Sequence, residues 1–214
     1  MYEAVPPSHY GGAERVVWSL CEEFVAQGHD VTLFASGDSQ TSARLFATTP
    51  RSLRQQMTHH EFTNVAPYLH LAMLSQVARQ ADQFDIMHSH VDHWTFPFLD
   101  LVRTPIVTTM HGRLDWDILP PILACYPEAP LVSISMAQRN PVQEIPLTWA
   151  GCVYNGISLD HFRFHEVCAG RRYPAAAVKV LTKKPTNRQQ LLAQLSAAAG
   201  ISASGRLGYI SEML

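Results

Sequence analysis

The sequence predicts an α/β fold built on a parallel sheet, and two observations carry that reading. Short apolar, β-branched runs recur at residues 31–35, 84–88, 106–110, 131–134 and 151–154. Several are separated by stretches with helical periodicity, the alternation expected of a doubly wound sheet. A third observation sets one departure: the chain opens in a loop, so the first strand of such a sheet is expected to be missing.

The loop Pro6-Pro7-Ser8-His9-Tyr10-Gly11-Gly12 runs directly into residues 13–27, where Val16, Val17, Leu20 and Phe24 share one helical face. Gly28 ends that helix, and a polar turn leads into the strand at 31–35. On spacing alone, Gly11-Gly12 has two readings. One is a tight turn, with Glu14 complementing the helix dipole. The other is a site for an anion or a sugar hydroxyl, since a helix start carries unpaired N–H groups and glycine lets a ligand approach the backbone.

Residues 36–42, Ser-Gly-Asp-Ser-Gln-Thr-Ser, form a hydroxyl-rich loop at the strand end where open α/β sheets bind ligands. Residues 66–83 carry Leu69, Met73, Leu74, Val77, Ala78 and Ala81 at helical spacing and lead into the strand at 84–88. The strand at 106–110 opens into His111-Gly112-Arg113-Leu114-Asp115, and the one at 151–154 is closed by Asn155-Gly156. Past about Val167 the alternation stops, and residues 188–199 are the one periodic piece of a biased tail.

Composition narrows the function classes. The 214 residues are 47% hydrophobic, enough for a substantial core. A formal net charge of -2, from 16 basic and 18 acidic residues, gives no footprint for nucleic acid or an anionic membrane. Small-molecule partners are expected. Cys21, Cys125, Cys152 and Cys168 lack Cys-x-x-Cys spacing, and no bilayer-length apolar run is present, which together predict a cytoplasmic protein with reduced thiols.

His88-Ser89-His90-Val91-Asp92-His93 is the densest group of metal-ligand side chains. It resembles the His-x-His-x-Asp-His zinc motif of metallo-β-lactamase-like hydrolases, so a zinc hydrolase using His88, His90, Asp92 and His93 is one expectation. Polar side chains facing a sugar cleft, or a purely structural cluster, are the others.

Several stretches in order resemble one family. They are Pro6-Pro7-x-x-Tyr10-Gly11-Gly12-x-Glu14-Arg15-Val16-Val17, Gln27-Gly28-His29-Asp30-Val31-Thr32-Leu33-Phe34-Ala35-Ser36-Gly37-Asp38-Ser39 and Phe84-Asp85-Ile86-x-His88-x-His90. Thr104-Pro105-Ile106-Val107-Thr108-Thr109-x-His111-Gly112-Arg113-Leu114-Asp115, Val132-Ser133-Ile134-Ser135-x-x-Gln138-Arg139-x-Pro141 and Val153-Tyr154-Asn155-Gly156-Ile157 follow. The chain from about Tyr2 to Phe164 thereby resembles the N-terminal half of retaining glycosyltransferases of family 4, the group 1 glycosyltransferases.

That resemblance implies a Rossmann-like parallel sheet forming one half of a GT-B enzyme, in which two such domains face each other across a cleft. It implies an acceptor-side domain at 1–156, the start of an interdomain crossover at 157–166, and an atypical tail at 167–214, a frameshifted or disordered remnant of the donor domain. It makes a nucleotide-sugar the co-substrate, with no separate cofactor, and a glycosyl acceptor the second partner. It places His111 in the catalytic cleft as a partner of the transferred sugar, and Gly11, Gly12, Glu14, His88, His90, Arg113 and Asp115 around the substrates. A plain capping role after a strand is the other reading of His111. The family's Ser-Pro-x-Lys-Gly and Glu-x7-Glu donor-side motifs do not follow Asn155-Gly156 in this sequence, so the chain is expected to be inactive alone.

Overall fold

The computed structural model describes residues 2–9, 11–156 and 206–210. The strands are β1 (Asp30–Ser36), β2 (Arg44–Thr49), β3 (Ile86–Ser89), β4 (Ile106–Met110), β5 (Leu131–Ser133), β6 (Trp149–Cys152) and β7 (Arg206–Ile210). The helices are α1 (Gly12–Ala26), α2 (Leu53–Gln56), α3 (His59–Asn64), α4 (Ala66–Gln80) and α5 (Leu119–Ala124). Among the described residues one sheet takes every strand, in the order β2-β1-β7-β3-β4-β5-β6. Every pairing in it is parallel, as the buried apolar runs predict.

Successive strand residues point to opposite faces, and both faces are covered. On one, α1 lays Val17, Cys21 and Phe24 against Val31, Leu33, Ala35 and Tyr209. On the other, α4 packs Met73, Leu74 and Val77 near Phe34, Met87 and Ile210. A third cluster joins Met110, Leu114, Leu119, Leu123 and Leu131 beneath α5. Burial of each large side chain contributes about 1.5–3 kcal/mol, so helix and sheet order are fixed together. The packed face of α1 is centred on Ala13, Val17, Cys21 and Phe24; Val16 and Leu20, which share the periodic stripe, are only half-buried. Gly28, at φ 89°, ends the helix by donating to Val25 O at 2.9 Å.

The centre of the sheet holds the departure from the sequence reading. Residues 2–9 form no strand. The place between β1 and β3, where the first strand of a doubly wound sheet sits, is occupied by β7. It pairs from Asp30↔Arg206 to Phe34↔Ile210 on one side and from Ile86↔Leu207 to Ser89↔Ile210 on the other. This strand lies inside the stretch read as an atypical tail and was not expected there. The periodic segment at 188–199 and the crossover at 157–166 lie outside the described residues.

The N-terminal segment is held without being a strand. Val5 N donates to Ser39 Oγ at 3.0 Å, Gln40 N donates to Val5 O at 2.7 Å, and Arg54 N donates to Tyr2 O at 3.1 Å. Tyr2 and Val5 are buried at the C-terminal end of β1.

Candidate functional site

In a parallel sheet all C-terminal strand ends share one edge, and that edge collects the side chains singled out in the sequence. His88 lies in β3, His90 just beyond it, and His111 just beyond β4. Helix α1 precedes β1 through a short turn and so runs antiparallel to it. Its N-terminus, with Gly11 and Gly12, therefore faces the same edge.

The histidines are joined by the β3–β4 register, in which His88 stands opposite Val107 and Ser89 opposite Thr108. His88 Nε2 and Thr109 Oγ1 are 2.8 Å apart, and His90 Nδ1 and His111 Nε2 are 2.8 Å apart. The His88 and His90 rings pack with centroids 4.1 Å apart, and the His90 and His111 rings stack at 5.1 Å. Tyr209 of β7 lies against both His88 and His90, at 5.1 Å and 5.9 Å. Burial, then the neighbouring His111 charge, pushes the His88 imidazole down to about 3. Burial alone takes His111 to about 4, and burial followed by its two histidine neighbours holds His90 well below its ordinary value. All three rings are neutral at physiological pH.

Asp92 fixes the backbone beside His111. Its carboxylate accepts from His111 N at 2.9 Å and from the Gly112 N–H. Burial raises its pKa while those two hydrogen bonds oppose the rise. Asp92 itself sits at φ 46°, a left-handed conformation that Asp tolerates better than most residues. A Cβ at Gly112 would stand 3.1 Å from Asp92 Oδ2, a tight contact that would displace the carboxylate by a few tenths of an ångström. From the helical turn that follows β5, Gln138 Nε2 donates to Met110 O at 2.9 Å and Gly112 O at 2.8 Å, while its Oε1 accepts from Ile134 N at 2.9 Å. Gln138 was part of the sequence resemblance, and this bracing role emerges only in the fold.

Gly11 and Gly12 differ. Gly11 has φ 145°, and a Cβ there would meet Pro7 Cγ at 2.6 Å and Glu14 Oε2 at 2.8 Å. A Cβ on Gly12 would meet nothing within 4 Å, so the exposed first turn of α1 is open to an approaching group. Arg15 ties the loop down by donating to His9 O at 2.9 Å and Pro7 O at 3.3 Å. Glu14 is buried at 3% exposure beneath Gly11.

Other expected residues lie elsewhere. Arg113 and Asp115 are exposed and pair with each other at 2.6 Å instead of turning toward the histidines. The hydroxyl loop spends its groups on its own chain: Ser39 on Val5, Asp38 on Ser52, and Thr41 on Glu22. The His-x-His-x-Asp-His segment does not converge. His88 and His90 turn to different partners, Asp92 serves backbone N–H groups, and half-buried His93 stacks on Trp94. Among the described residues no group of three or more His, Cys, Asp or Glu is arranged to hold a metal ion. Nor is any helix among them long and apolar enough to cross a membrane.

No curated protein matches the chain. A family model does: Glycosyltransferase Family 4 matches residues 10–161, a span that includes the glycine loop, the paired histidines and strands β1 to β6. The match covers well over half of the 214 residues and takes in six of the seven described strands with the histidines at their edge, so the chain belongs to glycosyltransferase family 4.

Proposed function

We propose that this chain is the acceptor-side domain, residues 1–156, of a retaining glycosyltransferase of the GT-B plan, acting in the cytoplasm on a nucleotide-sugar and a glycosyl acceptor. The observation that carries the reading is the anchored His111, held by His90 through its ring and by Asp92 through its backbone, on the sheet edge that α1 also faces. A neutral imidazole there hydrogen-bonds a sugar hydroxyl. The open first turn of α1 at Gly12 takes the phosphate side of the donor, with Gly11 and Glu14 shaping the loop.

The chemistry suits these groups. Breaking a sugar–diphosphate bond puts negative charge on the leaving group and positive charge on the ring, and oriented N–H dipoles stabilise the former. His88 and His90 back the sugar-facing wall, and Arg113 with Asp115 marks its outer rim. The donor-side motifs absent from residues 157–214 would complete the nucleotide site, so this chain alone holds a donor weakly and transfers little or nothing.

The test incubates the full chain with a panel of nucleotide-diphosphate sugars and oligosaccharide acceptors, and follows ligand binding by NMR alongside product formation. Weak, saturable binding that His111→Ala reduces, without robust transfer, is expected. Binding unchanged in His111→Ala contradicts the site, and robust transfer contradicts the half-site reading.

A further inference from the structure

We propose that His90 is a positioning residue that fixes the His111 imidazole with its proton on Nδ1, so that His111 offers a hydrogen-bond donor to its ligand. The inference rests on the reading of this edge as the sugar site and names the polarity of its central group.

Two ring nitrogens 2.8 Å apart, His90 Nδ1 and His111 Nε2, require one proton between them. Both rings are neutral, so each carries a single proton, and two arrangements exist. In one, His111 Nε2–H donates to His90 Nδ1, which leaves the His90 proton on Nε2. That nitrogen is fully buried and has no hydrogen-bond partner. An orphaned buried N–H is a rare feature of folded proteins. In the other, His90 Nδ1–H donates to His111 Nε2, and His90 Nε2 keeps only a lone pair in its apolar place against Tyr209. The second arrangement avoids the orphan donor, and it dictates the first ligand-facing property of His111. With Nε2 accepting, the His111 proton resides on Nδ1, in a ring that is part-exposed at the edge.

The ligand class follows. An Nδ1–H donor matches an oxygen acceptor: a sugar hydroxyl, a ring oxygen or a phosphate oxygen. It does not match an N–H or ammonium donor.

The experiment uses the full chain, ¹⁵N-labelled at histidine, at slightly alkaline pH and without ligand, so that its outcome is independent of whether sugars bind. Long-range ¹H–¹⁵N spectra assign the proton-bearing nitrogen of His111, and a scalar coupling across the N–H···N bond reports its contact with His90. The expected result is a pyrrole-type Nδ1 and a pyridine-type Nε2 on His111, with a measurable coupling to His90 Nδ1. His90→Asn places an amide N–H near the ring Nδ1 position and retains that pattern. His90→Leu shifts His111 toward the Nε2–H form that free histidine favours. A proton on Nε2 of His111 in the unsubstituted chain, or a His111 pattern unchanged in His90→Leu, overturns the proposal. Should His90→Leu fail to fold, the unsubstituted chain and His90→Asn decide it.

Discussion

Tyr209 stacks on His90, with ring centroids 5.9 Å apart and planes 21° from parallel, so a strand near the C-terminus touches the group that holds His111. Through β7 the central sheet and the candidate site share one support. Tyr209 is 1% exposed and also contacts Phe24 and His88. Tyr209→Ala is expected to destabilise the protein by roughly 3 kcal/mol or more, as for other large-to-small core changes. Chemical denaturation measures the loss, and histidine resonances that shift at His88 and His90 locate it. A change under about 0.5 kcal/mol would mean that β7 is dispensable.

The paired glycines separate fold from function. Gly11→Ala meets Pro7 and Glu14 and forces φ 145° on a residue with a side chain, so it is expected to cost about 1–3 kcal/mol. Gly12→Ala adds a methyl group to open space in the first turn of a helix and is expected to leave stability unchanged or slightly raised. The same Gly12 change is expected to weaken nucleotide-sugar binding by closing the backbone approach. Thermal melts and ligand titrations of the two variants check both halves.

Stability depends on pH through the buried histidines. His88 titrates near 3 and His111 near 4 in the folded chain, and His90 is also held low, against an ordinary value of 6.5. The unfolded chain therefore takes up protons below about pH 6.5 that the folded chain refuses. Full stability is present above that pH and falls as pH drops toward the folded values, by about 1.4 kcal/mol per pH unit per histidine. Urea unfolding between pH 7.5 and 5 is expected to show this decline, and His88→Gln is expected to remove about one proton's worth of the slope. A flat profile would contradict the burial of neutral rings.

The zinc motif makes its own prediction. With His88, His90 and Asp92 already committed to Thr109, His111 and backbone N–H groups, gently purified protein is expected to carry no stoichiometric zinc. Metal analysis by mass spectrometry checks it, and one zinc per chain would restore the hydrolase reading.

Strands β1, β3, β4 and β5 were legible because short, mostly apolar runs between turn formers mark strands buried on both faces, and the run at 151–154 overlaps β6. Strand β2 was not. It is a half-exposed edge strand, and the residues of Arg44–Thr49 carry a weak pattern. The Arg206-Leu207-Gly208-Tyr209-Ile210 run was missed because it is short, interrupted by glycine and set in a compositionally biased tail. Its place at the centre depends on pairing with β1, far away in sequence, which no local signal reports. The site divides the same way. His90 and His111 were each legible as polar groups at strand ends, but their contact spans 21 residues and exists only through the β3–β4 register. Arg113 and Asp115 follow His111 closely, and the fold adds that they are exposed and paired with each other.

The most direct measurement of the central claim is a ¹H–¹⁵N chemical-shift titration of the full chain with nucleotide-diphosphate sugars and, separately, with free oligosaccharides. Saturable shifts are expected to cluster at Gly11, Gly12, Glu14, His90, His111 and Gly112, the residues gathered at the C-terminal edge of the sheet, and to be lost in His111→Ala. Shifts scattered over the opposite edge, or clustered at residues remote from α1 and the β3–β4 histidines, would contradict that claim.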